Sequence, residues 1–173
     1  MAYNSARYMV AGEVVDTSAL ISWPLGMLFG SLASPRQRNE LTTNYPERID
    51  IIDAIDINWT NPNKESIEKI MHISKETGDI AGLSETDIEI IALAMEYDCI
   101  LITDDYRMQN IAEYSKIKWR SVNTDGIKNI WKWEIVCIGC KIVKIMPEST
   151  TNQKNNLGQC VECGSQLKVR KKK

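Results

Sequence analysis

Short apolar runs alternate with amphipathic segments over most of the first 122 residues. The run Glu13–Asp16 ends in an acid and predicts a buried strand that leads into a helix. Residues 17–41 have a helical pattern, but prolines and glycines interrupt it, which predicts two short helices. Ile49–Ile57 alternates imperfectly between apolar and polar positions and predicts an exposed or edge strand.

The pattern is more regular after Pro62. It predicts two helices, one over Glu65–Thr77 that Gly78 closes and one from Ser84 to about Tyr97. A strand, a short helix and a further strand then follow over Cys99–Thr103, Tyr106–Tyr114 and Ile117–Val122. Because strands alternate with helices, we expect an α/β fold: a mostly parallel sheet covered by helices on both faces, in three α/β/α layers.

Composition and charge divide the chain into two parts. The 173 residues are 43% hydrophobic and 25% charged, as in an ordinary globular protein. Residues 1–130 carry 12 Lys and Arg against 20 Asp and Glu, whereas residues 131–173 carry 9 against 3. An acidic body followed by a basic end suggests separate roles for the two parts.

Several classes of protein find little support in the sequence. No apolar run approaches the roughly 20 residues of a membrane span, and Met1–Gly12 lacks the layout of a signal peptide, so we expect a cytoplasmic protein without membrane contact. His72 is the single histidine, on which any histidine-based nucleophilic mechanism would depend. No glycine-rich phosphate loop follows the first strand, which disfavours nucleotide-dependent functions.

Acidic residues follow two of the predicted strands. Asp16 closes the first strand, Asp104 and Asp105 close the strand over Cys99–Thr103, and Asp87 lies in the first turn of a helix. Functional groups gather beyond the carboxyl ends of parallel strands, so these carboxylates should converge. Carboxylate oxygens suit Mg²⁺ or Mn²⁺, which can activate water for attack on a phosphodiester.

Each acid also has a purely structural interpretation. Ser84-x-x-Asp87 has the form of a capping box, and Asp104 or Asp105 could cap the helix that follows. Asp16 is harder to explain in this way, since an acid that closes a hydrophobic strand is costly without a partner.

Two Cys-x-x-Cys pairs predict one structural zinc site. Cys137 and Cys140 are separated from Cys160 and Cys163 by residues 141–159, and four thiolates would complete a tetrahedral site without an open position. In a reducing compartment this interpretation is preferred to disulfides or unrelated thiols. Cys99 begins a predicted core strand and is expected to be inert.

The acidic segments resemble the three motifs of PIN-domain nucleases. They are Val15–Ala19, Leu83–Ile88 and Leu101–Tyr106. The resemblance implies a compact α/β/α domain that cuts single-stranded RNA with Mg²⁺ or Mn²⁺. Carried over by position, it implies metal ligands at Asp16, Asp87 and Asp105, with Asp104 as a further candidate. Glu40 would be the second acid, Glu47 a substitute for it, and Thr103 the residue that orients the strand-end carboxylates.

A PIN domain followed by a zinc ribbon resembles the Nob-type endonucleases, which trim the 3′ end of small-subunit ribosomal RNA in archaea and eukaryotes. Further matches lie in Ser74–Asp79, Tyr106–Ala112 and Cys160–Ser165, and the short chain resembles the archaeal members. The implied partners are precursor small-subunit rRNA and the maturing small ribosomal subunit. Candidates for RNA contact are Lys141, Lys144, Lys168 and Arg170. Trp131 or Trp133 would stack on a base or pack between the two parts of the chain.

These expectations define a domain plan and two competing functions. The plan has an N-terminal extension, a PIN-like domain, a linker, a zinc ribbon and a basic tail over residues 1–12, 13–124, 125–132, 133–170 and 171–173. The competing functions are a toxin-type PIN ribonuclease and a non-catalytic RNA- or ribosome-binding module with a degenerate acid site. The sequence leaves the oligomeric state open.

Overall fold

A computed structural model describes residues 12–150 and 157–172 of the chain. Except for Gly12, the predicted N-terminal extension lies outside the described residues, as does Lys173 of the predicted basic tail. None of the helices in the described part is both long and apolar enough to cross a membrane.

A five-stranded parallel sheet forms the centre of the larger part. Its strands are β1 Glu13–Val15, β2 Leu32–Ala33, β3 Asn58–Trp59, β4 Ile100–Ile102 and β5 Trp119–Arg120, in the spatial order β3-β2-β1-β4-β5. The chain builds outwards from β1 to β3 and then returns to place β4 on the other side of β1. The strand order therefore reverses between β1 and β4, where ligands of open α/β sheets bind.

Helices cover both faces of this sheet. They are α1 Thr17–Ser22, α2 Leu25–Leu28, α3 Pro35–Asn44, α4 Pro46–Ile52, α5 Lys64–Thr77, α6 Glu85–Glu96 and α7 Tyr106–Tyr114, with a 3₁₀ turn over Asp79–Gly82. Val14 lies in one apolar core with residues of α5, α6 and α7, whereas its neighbour Val15 lies in a second core with residues of α1 and α3. Successive strand residues thus face opposite layers, which confirms the predicted α/β/α architecture.

The structure corrects the prediction of a strand over Ile49–Ile57. Residues Pro46–Ile52 form α4, and only Asn58–Trp59 pair in the sheet. Pro46 starts the helix, and Ile49 and Ile52 lie three residues apart on its buried face while Ile51 is exposed. Isoleucines at alternate positions predicted a strand because a helix of only seven residues is too short for a clear 3.6-residue periodicity.

Residues 17–41 also hold more structure than two short helices. Strand β2 and the ten-residue α3 follow the short α1 and α2. Ser34 and Gln37 start α3 with a reciprocal capping box, and Pro35 occupies its first position.

The smaller part is an antiparallel three-stranded sheet, which fits the small β zinc ribbon expected after the α/β domain. Its strands are β6 Trp133–Cys137, β7 Val143–Lys144 and β8 Leu167–Lys171, in the order β7-β6-β8. Strand β8 extends to Lys171, one residue into the predicted tail. In the described residues of this smaller part, Ile135, Val136, Cys137 and Cys160 are buried.

Candidate active site and metal centre

Asp16 lies at the carboxyl end of β1, next to the point where the strand order reverses. Only 6% of the residue is exposed. Its Oδ1 accepts hydrogen bonds from the Ser18 hydroxyl at 2.6 Å and the Ala19 N–H at 3.0 Å, which caps α1. Its Oδ2 accepts a hydrogen bond from the hydroxyl of Thr103 at 2.5 Å. A carboxylate has about four acceptor positions, and these hydrogen bonds occupy three of them.

Thr103 connects the ends of β1 and β4. The residue is fully buried, and its hydroxyl donates to Asp16 while accepting the backbone N–H of Asp105 at 3.0 Å. The carbonyl of Thr103 accepts a hydrogen bond from Gln109 at 2.8 Å, which ties the strand end to α7. One buried hydroxyl therefore fixes two candidate metal ligands relative to each other.

The two acids after β4 have different surroundings. Asp105 caps α7, and its Oδ1 accepts the N–H groups of Arg107 at 2.7 Å and Met108 at 3.4 Å. Asp104 turns towards the segment after β5 and accepts hydrogen bonds from the N–H groups of Val122 and Asn123. Asp105 is therefore the acid that hydrogen bonds connect to Thr103 and, through Thr103, to Asp16.

The environment of Asp104 favours its charged form. Partial burial alone would raise the pKa of this carboxyl, but the N–H groups of Asn123 and Val122 and the hydroxyl of Thr124 outweigh burial and hold the pKa below its usual range. The carboxylate of Asp104 accepts several hydrogen bonds from the segment that follows β5, which suits a structural role.

Thr86, the residue before Asp87, connects the start of α6 to Glu40. The Thr86 hydroxyl donates to Glu40 Oε1 at 2.5 Å, which links α3 to the start of α6. Asp87 forms the predicted capping box with Ser84, in which Asp87 Oδ2 accepts the Ser84 N–H at 2.8 Å. Glu47 is exposed in the first turn of α4.

Gln37 places α3, and with it Glu40, against the end of β1. The buried Gln37 amide donates to the Val15 carbonyl at 3.0 Å and to the Thr17 hydroxyl at 3.4 Å. Sequence reasoning missed Gln37, Thr86 and Ser18, whose side chains orient the acids. Ser18 and Gln37 lie within one turn of Asp16 and Glu40, a signal that the sequence offers, whereas the contact of Thr86 with Glu40 spans 46 residues.

The Thr103 hydroxyl thus bonds both the Asp16 carboxylate and the backbone N–H of Asp105, and the Thr86 hydroxyl reaches Glu40 from the residue next to Asp87. Among the described residues, however, the four cysteines are the only group of three or more potential metal ligands whose donor atoms all lie within 4.8 Å of one another. Like charges repel one another, and each acid is instead held by hydroxyl and backbone donors.

The cysteines match a tetrahedral site. Cys137 Sγ lies 3.4 Å from Cys163 Sγ, and Cys140 Sγ lies 3.7 Å from Cys160 Sγ. These separations exceed a disulfide bond of about 2.05 Å. They approach the edge of a tetrahedron around Zn²⁺ with Zn–S bonds of about 2.3 Å, roughly 3.8 Å. The four cysteines could therefore hold one metal ion.

The second cysteine knuckle also stabilises thiolate charge. The hydroxyl and N–H of Ser165 lower the pKa of Cys163 to about 6, and the N–H of Glu162 lowers the pKa of Cys160. Gly164 adopts a φ of 70°, a left-handed turn that glycine accommodates readily.

The four predicted RNA-contact residues lie on the ribbon. Lys168 is exposed on β8, and Lys141 donates to the Ile138 carbonyl at 2.5 Å. Lys144 lies 3.6 Å from Glu162, and Arg170 lies 2.7 Å from Glu134, so acidic neighbours partly offset these two cations.

Comparison with known proteins gives the same picture. A sequence profile for the PIN domain of ribonuclease matches residues 14–97. The chain is 36% identical over 159 residues to Endoribonuclease Nob1 of Pyrococcus abyssi, an alignment that covers 90% of this chain and 91% of that protein. Endoribonuclease Nob1 of Methanocaldococcus jannaschii is 36% identical over 161 residues, with 90% and 76% covered. Ribonuclease VapC1 of Thermoplasma acidophilum is 32% identical over 157 residues, with 90% and 76% covered. From the fold and these similarities together, the chain belongs to the Nob1 family of PIN-domain endoribonucleases.

Proposed function

We propose that this endoribonuclease uses a divalent cation to cleave precursor small-subunit rRNA at its 3′ end, in the cytoplasm and within the maturing small ribosomal subunit. The observation that carries the catalytic part is the arrangement of Asp16, Thr103 and Asp105 at the point of strand reversal. The Nob-type combination of PIN domain and cysteine ribbon carries the choice of substrate.

The acids supply the donor set that Mg²⁺ or Mn²⁺ prefers. In this proposal Asp16, Asp87 and Asp105 hold the cation and Glu40 completes the acidic rim. Such a cation, when bound, activates water and neutralises charge on the scissile phosphate. Asp104 instead anchors the segment after β5, since its hydrogen bonds point there.

The chain's own residues hold this arrangement before substrate arrives. Thr103, at the end of β4, orients Asp16 and Asp105, and Thr86, in the first turn of α6, orients Glu40. Pre-positioned groups reduce the reorganisation needed during reaction, which is how a site on rigid strand ends contributes to rate.

The cysteine ribbon has a different task. Four thiolates leave no open coordination position, so a zinc ion held by Cys137, Cys140, Cys160 and Cys163 would stabilise the ribbon without taking part in cleavage. Lys141, Lys144, Lys168 and Arg170 would then contact the RNA backbone through their positive charges.

The substrate assignment is tested by cleavage of two labelled RNAs of equal composition with Mn²⁺. One spans the mature 3′ end of small-subunit rRNA, and the other has the same nucleotides in shuffled order. We expect a single major cut in the first RNA and slow, scattered cleavage of the second. Equal rates and scattered cuts in both would remove the rRNA assignment while leaving the nuclease activity intact.

The similarity to Ribonuclease VapC1 supports one alternative, a toxin-type ribonuclease. Expression in a bacterial host separates the two functions. A toxin-type enzyme would arrest growth in an Asp16-dependent manner, whereas an rRNA-maturing enzyme would leave growth nearly unchanged.

A further inference from the structure

A cavity of about 410 Å³ lies between the start of α7 and the segment that joins the PIN domain to the ribbon. Its volume falls within the range of small-molecule sites. Three aromatic rings, two amides and one lysine form most of its wall: Tyr106, Trp131, Trp133, Asn110, Asn129 and Lys128.

Two of the rings are exposed although their positions are fixed. Tyr106 is 57% exposed at the first position of α7, and Trp131 is 41% exposed. The backbone of Trp131 is held on both sides by the Asn110 amide, which accepts its N–H at 2.7 Å and donates to its carbonyl at 2.8 Å. Asn110 is in turn held by the fully buried Asp79 at 2.6 Å.

This arrangement is more than packing between the two parts of the chain. Packing would bury the ring of Trp131, whereas here a buried polar chain from Asp79 through Asn110 fixes the backbone and leaves the ring open. The Trp131 and Trp133 rings tilt by 55° with centroids 5.5 Å apart, so they form a step and not a closed stack. Lys171 covers one face of the Trp131 ring, and a flat ligand would reach the part of the ring that lines the cavity.

Cations surround the rings. The Lys171 ammonium lies 4.0 Å from the Trp131 ring centroid, the Arg107 guanidinium lies 5.1 Å from the Trp133 centroid, and Lys128 lines the cavity. Aromatic rings combined with cations suit single-stranded nucleic acid, whose bases stack and whose phosphates are negative. An apolar peptide would gain nothing from the cations.

We propose that this cavity binds one unpaired nucleobase of the RNA, with Tyr106 and Trp131 as its stacking surfaces. The inference rests on the proposed function in one respect, that the bound polymer is the enzyme's RNA substrate. Tyr106 directly follows Asp105, so the base belongs to a nucleotide near the scissile phosphate. The cavity would thus set which phosphate reaches the carboxylates.

The test measures binding and not cleavage. RNAs spanning the rRNA 3′ end, each with one abasic nucleotide at a different position, are titrated by fluorescence anisotropy with Mg²⁺ in an Asp16→Asn background. Tyr106→Ala removes one stacking surface, and Trp131→Phe keeps a ring but reduces it. Tyr97→Ala is the matched control, because Tyr97 is 45% exposed at the end of α6, away from the cavity.

We expect one abasic position to weaken binding by about 5- to 150-fold in the Tyr97→Ala control, as for loss of one stacked base. In Tyr106→Ala the same abasic position should weaken binding by a clearly smaller factor than in the control, because one of the two stacking surfaces is already absent. Trp131→Phe should lie between the two.

Equal abasic penalties in the Tyr106→Ala and Tyr97→Ala proteins would overturn the inference, as would failure to bind any of these RNAs. Cleavage by the protein with Asp16 intact is scored separately. An abasic penalty that does not depend on Tyr106, together with normal cleavage, would refute base binding in the cavity alone. An abasic penalty that does depend on Tyr106, together with no cleavage, would refute the catalytic proposal alone.

Discussion

Thr103→Val tests whether one buried hydroxyl organises the acids. Valine has nearly the same shape as threonine but cannot replace the hydrogen bond to Asp16 Oδ2 at 2.5 Å or accept the Asp105 N–H at 3.0 Å. Thr103 is fully buried, so water cannot readily take over these roles. The substitution removes the link between the ends of β1 and β4 and leaves the core volume unchanged.

The magnitude follows from the two hydrogen bonds. A hydrogen bond to a charged group contributes about 1.5–3 kcal/mol, and an unsatisfied buried donor costs about 1–3 kcal/mol. Since these terms are not fully additive, Thr103→Val should lower the free energy of unfolding by about 2–4 kcal/mol. Thr103→Ser, the control, keeps the hydroxyl and loses one methyl, at a cost of about 1 kcal/mol.

Urea unfolding followed by tryptophan fluorescence measures both variants, and RNA cleavage with Mn²⁺ measures their activity under conditions where both remain folded. Thr103→Val should be less stable than Thr103→Ser and should cut more slowly. If the valine variant is as stable and as active as the serine variant, the hydroxyl does not organise Asp16 and Asp105.

Three further predictions concern the ribbon and its contact with the PIN domain. Cys160→Ser should abolish binding of the expected one zinc ion per chain and unfold the ribbon, because structural zinc supplies about 10–16 kcal/mol of binding free energy. Metal analysis measures the zinc content, and retained zinc would contradict the four-cysteine site. Burial raises the pKa of Asp79 from 3.8 to about 6, so the folded state binds a proton at this carboxyl more tightly than the unfolded state does. The stability that protonated Asp79 contributes is therefore fully present below about pH 4 and is lost as the pH rises through 6. The stability difference between the intact chain and Asp79→Asn should therefore change by up to about 3 kcal/mol over this range, and a constant difference would exclude the linkage. Gly78→Ala should destabilise by more than Gly30→Ala, because both glycines have positive φ but only a Cβ at Gly78 would lie 2.3 Å from the Trp133 carbonyl; equal losses in thermal unfolding would refute this.

The parts predictable from sequence are those with strong local signals. The capping box at Ser84, the glycine that closes α5 and the apolar runs of β1 and β4 each restrict the backbone on their own. Their order along the chain then leaves few topologies for a parallel sheet. The paired cysteine knuckles were similarly restrictive, since their spacing implies a shared site before any fold is known.

The parts that escaped prediction depend on tertiary packing. Ile49 and Ile52 mark a helix face only once the short α4 is packed on the core, and the alternation of Ile49 with Ile51 was mistaken for a strand. The sequence could not separate Asp104 from Asp105 either, because that choice depends on the segment after β5, which donates its N–H groups to Asp104. Thr86 reaches Glu40 across 46 residues of sequence, a contact that no local pattern specifies.

The central claim is that carboxylates at the strand reversal, and not the cysteine site, carry out RNA cleavage. The most direct measurement is the single-turnover rate with Mn²⁺ for the intact chain, Asp16→Asn and Asp50→Asn, an exposed acid on α4 that serves as the control. Loss of several kcal/mol of metal-dependent stabilisation predicts a fall of at least about 100-fold for Asp16→Asn. Asp50→Asn should cut at the intact rate with the same zinc content. An Asp16→Asn protein that is folded, loaded with zinc and as fast as the control would contradict the account.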